Sequence, residues 1–211
     1  MVQGFKLQGF GLHPGHLDAG AQAALTAAVR DCLRAAPLFR PVMPRTGKPF
    51  SVRMSNAGPL GWVSDRDGYR YQPHHPETGR PWPPIPQIAL DVWQAVSGYP
   101  HPPEACLINW YAPDARMGLH RDTDEAARDA PVVSISLGDT AIFRIGPRDR
   151  SGGTKSVRLT SGDVAVLAGD ARESRHGIDR ILPGTSTLLD APGRINLTLR
   201  RVRIPGLSET Y

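Results

Sequence analysis

The chain has 211 residues, 40% hydrophobic and 21% charged, with a formal net charge of +5 and a pI near 9.6. That balance fits one globular unit over 1–211 and excludes a disordered or low-complexity chain. No stretch approaches the roughly 20 apolar residues of a membrane-spanning helix, and "MVQGFKLQGF" lacks the apolar run of a signal peptide, so no membrane partner is expected.

The elements follow in chain order. Residues 1–12 read as a short strand or arm. "LDAGAQAALTAAVRDCLRAAP" reads as a helix near 19–35, capped by Asp18 and stopped by Pro37. Residues 40–84 are rich in turns and aromatics and show no helical period. "IPQIALDVWQAVSGYP" is a second helix, closed by Gly98 and Pro100. From Ala105 the texture becomes short β runs: "CLINWY", "VVSISLG", "AIFRIG", "SVRLT", "DVAVLAG" and "RINLTLRRV". Even spacing of such runs between Gly, Asp and Pro turns predicts a sandwich, jelly roll or barrel. The 22 Gly and 21 Pro are spread along the chain, in keeping with many turns. Cys32 and Cys106 have no framework spacing and read as reduced thiols in a cytosolic protein. The basic residues are 22 Arg and only 3 Lys, which permits a phosphate-bearing partner without demonstrating one.

The last strand carries the first chemical signal. With period two, Arg194, Asn196, Thr198 and Arg200 share one face while Ile195, Leu197 and Leu199 share the other. By itself this describes a strand with one wet face. Two guanidiniums on one strand also make a clamp for a dicarboxylate. In "LINWY", Asn109 and Tyr111 share a face, and Trp110 points away from it. In "LHRDTDE", an extended backbone would put His120, Asp122 and Asp124 on one side and Arg121, Thr123 and Glu125 on the other, solvated side.

His-x-Asp needs a third ligand to become a metal site. His13, His16 and His101 lie in connections without acidic neighbours, and His74 and His75 read as a solvated turn. His176, in "SRHGID" after a β run, is the natural third ligand. Two imidazoles and one carboxylate leave coordination positions open, which suits non-haem Fe(II) oxygen chemistry. The same set could hold catalytic Zn(II). The arginine strand favours iron, because it offers a site for a dicarboxylate co-substrate. There is no G-x-S-x-G elbow and no G-x-G-x-x-G, and "SGGTKS" matches a phosphate-binding loop only superficially.

Together these segments resemble the AlkB family of Fe(II)/2-oxoglutarate dioxygenases. They are "CLINWYAPDARMGLHRDTDE", "APVVSISLGDTAIFRIG", "RHGI" and "GRINLTLR". Upstream, "SVRMSNAGPLGW", "GYRYQP" and "GRPWPPIP" resemble its bacterial branch, so the likeness spans about 40–203. The resemblance implies a β-rich α+β fold with a double-stranded β-helix (jelly-roll) core, N-terminal helices and a nucleotide-recognition lid over 40–84. It implies iron held by His120, Asp122 and His176, with 2-oxoglutarate and dioxygen as co-substrates. Arg200 would meet the distal carboxylate of 2-oxoglutarate and Arg194 its keto-acid end, with Asn109, Tyr111 and Asn196 completing that site. Met54, Trp62, Tyr69 and Asp124 match base-contacting positions, and Arg150 is a further candidate in a loop, "GPRDRSGGTKS", that is hard to register.

The implied activity is oxidative demethylation of bases such as 1-methyladenine and 3-methylcytosine, giving succinate, CO2 and formaldehyde. The expected partner is alkylated DNA, single-stranded or with the base flipped out, handled by a monomer in the bacterial cytoplasm. The alternatives are RNA, a substrate other than nucleic acid, or a jelly-roll module whose metal is only structural.

Overall fold

A computed structural model describes residues 4–7, 9–148 and 152–206. The first helix, α1 (Ala19–Ala35), starts where Asp18 accepts a hydrogen bond from the Ala21 amide at 2.8 Å. The second, α2 (Gln87–Val96), follows Pro86 directly. Among the described residues no helix is long and apolar enough to cross a membrane.

The strands form two facing antiparallel sheets and a separate hairpin. The large sheet takes β1 (Phe5–Leu7), β2 (Phe10–His13), β3 (Arg53–Ala57), β6 (Ala105–Tyr111), β8 (Val132–Gly138), β11 (Val164–Leu167) and β13 (Arg194–Arg200). Their order is β1-β2-β11-β8-β13-β6-β3. The small sheet has the order β10-β9-β12-β7, from β7 (Met117–His120), β9 (Thr140–Gly146), β10 (Lys155–Leu159) and β12 (Arg175–Leu182). β4 (Gly61–Asp65) and β5 (Gly68–Gln72) make the hairpin. This is the expected jelly roll with its long antiparallel strands.

The two faces of the large sheet have different partners. Ile195, Leu197 and Leu199 on β13 pack with Ile108, Ile135 and Leu137 under Leu25, Val29, Val92 and Trp93 of the two helices. The opposite face looks into the roll toward Phe143, Ile145 and Ile178 of the small sheet. Both faces of β13 are therefore closed to solvent, and Arg194, Asn196, Thr198 and Arg200 are all buried. A wet outer face is excluded, because the helices cover one side and the small sheet covers the other.

β3 lies within the segment expected to be lid, yet it pairs with β6 along its length, with Met54 opposite Asn109. Met54 is 3% exposed and lines the cavity described below. The β4–β5 hairpin forms its own two-stranded ladder and is joined to β3 through Asn56, whose side chain bonds the Trp62 backbone at 3.0 Å. His75 is no solvated turn residue either. It is buried against Phe39 and Trp82, its Nε2 lies 2.8 Å from the Pro37 carbonyl, and its Nδ1 accepts from the Glu77 and Thr78 amides.

Candidate metal and co-substrate site

The site begins with a close approach of two strands. β7 pairs with β12 so that His120 faces His176, their ring centroids 4.6 Å apart. Gly177 makes this possible: a Cβ there would stand 2.5 Å from the Met117 carbonyl oxygen and 2.8 Å from that of Gly118. After His120 the chain leaves the sheet. Arg128 donates to the carbonyls of Asp122 and Thr123, at 3.4 and 2.6 Å, and Arg200 Nη2 donates to Asp122 Oδ1 at 2.8 Å beside the two imidazoles.

The donor set fits a divalent metal. One ligand atom from each of His120, Asp122 and His176 lies within 4.8 Å of the others. His120 Nδ1 faces the Gly118 carbonyl at 2.9 Å and His176 Nδ1 faces that of Ser174 at 3.4 Å. A carbonyl only accepts, so each Nδ1 carries the proton and each Nε2 keeps a lone pair. Those Nε2 atoms turn to Asp122, at 3.7 Å from Oδ1 and 3.5 Å from Oδ2. Asp122 Oδ2 is buried without a hydrogen bond. Such an atom is costly unless a cation completes it. Burial pushes the His176 imidazole down to about 4, against the opposing pull of Asp122, so it is a neutral ligand near pH 7. Burial alone would raise the Asp122 carboxyl. Arg200, His176, His120 and Arg172 outweigh it and hold Asp122 well below the usual carboxylate range.

A cavity of about 510 Å³ opens from this point. Every described candidate residue lines it: the three ligands, then Met54, Asn109, Tyr111, Arg194, Asn196 and Arg200 inside, and Trp62, Tyr69 and Asp124 toward the mouth. Arg150 lies outside the described residues. Its neighbour Arg148 sits 3.7 Å from Glu173 and is largely exposed.

The two arginines of the last strand differ in their partners. Arg200 is beside the metal ligands, with Nη2 2.8 Å from Asp122 Oδ1 and Nη1 2.5 Å from Glu125 Oε1. Arg194 lies six positions away at the other end of the strand face. It is 1% exposed, bonds only Ser136 Oγ at 2.9 Å, and stands 5.5 Å over the Tyr111 ring. Its Nε and Nη1 have no partner, and burial pushes the group down to about 10, so it stays charged at neutral pH. The uncompensated cation is thus the one remote from the metal. Arg200, by contrast, already shares its charge with two acids.

The amides differ as well. Asn109 Oδ1 is buried and unpartnered, while the Asn196 amide nitrogen is engaged by Ser134 Oγ and the Ile135 carbonyl at 2.7 and 3.0 Å. Asn196 holds the strand face in place, and Asn109 offers a free acceptor. Burial lifts the Tyr111 phenol to about 12, so it remains a donor.

Glu125, Arg172 and Tyr71 are contributors that strand period did not single out. Glu125, expected on a solvated edge, is 2% exposed and is held by Tyr71, Arg172 and Arg200. Arg172, on the 3-10 turn Gly169–Glu173, reaches Glu125 Oε2 at 3.0 Å. Two signals pointed to the acid and its partners. "DTDE" has more acids than a metal triad needs, and a buried second arginine on the last strand demands a counter-ion.

At the mouth, Trp62 on β4 stacks with Tyr69 on β5, centroids 5.6 Å apart and planes 16° from parallel. The Trp62 indole N–H donates to Asp124 Oδ2 at 2.7 Å.

Comparison with known proteins agrees with this geometry. The 2OG-Fe(II) oxygenase superfamily matches residues 9–200. The chain is 55% identical over 195 residues to the alpha-ketoglutarate-dependent dioxygenase AlkB homolog of Caulobacter vibrioides, covering 92% of this chain and 88% of that one. It is 44% identical over 168 residues to the alpha-ketoglutarate-dependent dioxygenase AlkB of Escherichia coli, covering 77% of each. The solved structure of OsALKBH1 superposes with a TM-score of 0.77 at 30% identity, over 94% of this chain and all of the other. A paired His-Asp-His set, a buried arginine clamp and matches of this extent lead to one conclusion: the chain belongs to the AlkB family of Fe(II)/2-oxoglutarate-dependent dioxygenases.

Proposed function

We propose that the enzyme removes methyl groups from base nitrogens of nucleic acid, with 1-methyladenine and 3-methylcytosine in DNA as its substrates. The carrying observation is the placement of an aromatic, hydrogen-bonding mouth directly above the His-Asp-His set. Fe(II) held by His120, Asp122 and His176 supplies, with 2-oxoglutarate and dioxygen, oxidative decarboxylation to succinate and CO2 and hydroxylation of the methyl group, which leaves as formaldehyde.

The chain's own groups bind and orient. Arg194 and the Tyr111 hydroxyl receive the distal carboxylate of 2-oxoglutarate, and the buried Nε of Arg200 faces its keto-acid end. Trp62 and the half-exposed His120 ring provide two faces between which a flat base fits. Asp124 accepts from an exocyclic amine, which favours adenine and cytosine. To do so it must release the Trp62 indole N–H that occupies it here. The methylated edge is hidden in a duplex, so the base enters single-stranded or flipped out, and damage that weakens pairing lowers the cost of flipping. Lys48, Arg116 and Arg121 border the mouth and suit phosphates. The enzyme acts as a cytoplasmic monomer.

The test is incubation with Fe(II), ascorbate, 2-oxoglutarate and matched DNA and RNA oligonucleotides carrying 3-methylcytosine. Loss of one CH2 per lesion with equimolar formaldehyde is expected. Turnover of 2-oxoglutarate without demethylation of either oligonucleotide would refute the substrate assignment.

A further inference from the structure

Tyr71 lies on β5, in the hairpin that carries Trp62 and Tyr69. Its hydroxyl donates to Glu125 Oε1 at 2.5 Å and accepts from Arg200 Nη1 at 3.2 Å. Glu125 also takes Arg200 Nη1 and Arg172 Nη2, and Arg200 Nη2 continues to Asp122 Oδ1. One buried chain of hydrogen bonds therefore runs from the aromatic hairpin to a metal ligand. We propose that Tyr71, Glu125 and Arg200 form a latch that couples docking of the β4–β5 hairpin to occupancy of the 2-oxoglutarate site, with Glu125 as the positioning residue. This rests on the metal and co-substrate reading above and is independent of which base is attacked.

The physical reason is the rigidity of the guanidinium. Both terminal nitrogens of Arg200 are engaged and its Nε is buried without a partner. An oxyanion that takes up Nε turns a planar group, and that same plane carries the bond to Tyr71. Glu125 sets the plane from behind, and Arg172 fixes Glu125 from its far oxygen. Other ties hold the hairpin elsewhere: Asn56 pairs with the Trp62 backbone at 3.0 Å, Ser64 bonds the Val42 backbone, Trp82 donates to the Gln72 carbonyl at 2.8 Å, and Trp62 donates to the exposed Asp124. None of these ties touches Arg200, so the Tyr71 hydroxyl is the contact through which the co-substrate site reaches the hairpin. Coupling of this kind is reciprocal: if 2-oxoglutarate steadies the hairpin, a docked hairpin tightens 2-oxoglutarate. The co-substrate would then prepare the mouth for the base before the base arrives.

Hydrogen exchange by mass spectrometry on the full chain loaded with Mn(II), a redox-quiet stand-in, tests this without nucleic acid or turnover. Calorimetry on the same samples gives the Kd for 2-oxoglutarate. In the native protein, 2-oxoglutarate should slow exchange across residues 61–72 several-fold. Tyr71→Phe keeps the ring and removes the hydroxyl, so it should abolish that slowing and raise the 2-oxoglutarate Kd by about tenfold. Tyr69→Phe, on the same strand and outside the chain of bonds, should retain the slowing. Binding of 2-oxoglutarate to the native protein with no protection of the hairpin would overturn the latch alone, whether or not Tyr71→Phe folds. Equal loss of protection in both variants would also overturn it. Absence of any 2-oxoglutarate binding would overturn the co-substrate reading and the latch together.

Discussion

Replacing Arg194 by methionine should separate the cost of a buried charge from its use. In the metal-free protein this guanidinium is 1% exposed, with one hydrogen bond to Ser136 and two unpartnered nitrogens. Methionine keeps much of the volume and removes the uncompensated charge, a change that is neutral to stabilising in buried sites. The same substitution removes the cation–π interaction with the Tyr111 ring, worth about 0.5–2 kcal/mol. The two effects oppose each other, so unfolding of the metal-free variant in urea should stay within about 1 kcal/mol of the native protein. Binding should respond very differently. Truncating one side of a buried, hydrogen-bonded charge pair costs about 2–5 kcal/mol, which is roughly thirty-fold or more in Kd. Calorimetric titration of the Mn(II)-loaded protein with 2-oxoglutarate gives that number. Native-like affinity in Arg194→Met, or a metal-free protein destabilised by well over about 2 kcal/mol, would refute the distal-carboxylate role.

Other perturbations follow from the same charges. Arg200→Met leaves Arg172 as the one arginine beside buried Asp122 and Glu125 among the described residues, so unlike Arg194→Met it should destabilise the metal-free protein, by about 3–5 kcal/mol in urea unfolding. A stability equal to the native value would mean that the Asp122–Glu125–Arg200 contacts are not maintained in solution. Asp122→Ala should abolish turnover and stoichiometric Fe(II) binding by equilibrium dialysis; near-normal values of either would show that the triad is misassigned. Acid should weaken the metal-free protein in two stages. The His176 pKa is depressed to about 4 from its ordinary 6.5, so between those values the unfolded chain binds a proton that the folded chain does not. Stability is therefore full above pH 6.5 and falls as pH drops toward 4, before Asp122 begins to lose its own contribution below its unfolded value of 3.8. Urea midpoints for His176→Gln should be flatter than native over that upper window, and an identical slope would refute the assignment.

What the sequence made legible was whatever depended on strand period. Arg194, Asn196, Thr198 and Arg200 share a face because they are two apart on one strand, and Asn109 and Tyr111 join them because β6 pairs with β13 in register. His120 and His176 could be nominated because each flanks or lies on a β run. The failures came where the period ended. "LHRDTDE" is a strand only through His120, after which Arg128 reshapes the backbone, so Glu125 turns inward and cannot be sorted by alternation. The same limit bears on the two ends of the arginine clamp. Period two tells which residues share a face, but not which end of the strand lies near a metal held by the opposite sheet.

The distribution of charge explains why this interior is both stable and reactive. Asp122, Glu125, Arg172 and Arg200 sum to zero in formal charge and lie in ion-pair contact, so the end of the cavity beside the metal ligands is balanced in charge before anything binds, while Asp122 Oδ2 and Arg200 Nε keep no hydrogen-bond partner. Arg194 is not balanced. It faces the phenol of Tyr111, and no acid within salt-bridge distance of it is seen among the described residues. A monoanion at Arg194 would correct the far end alone. A neutral ligand at the metal would leave both Arg194 and the added metal charge uncorrected. A dianion long enough to reach from Arg200 to Arg194 meets both demands at once, and 2-oxoglutarate is such a molecule. The preference for a short dicarboxylate thus follows from where the fold leaves, among the described residues, one buried arginine without an acidic partner, and Glu125 serves that preference by keeping Arg200 from becoming a second.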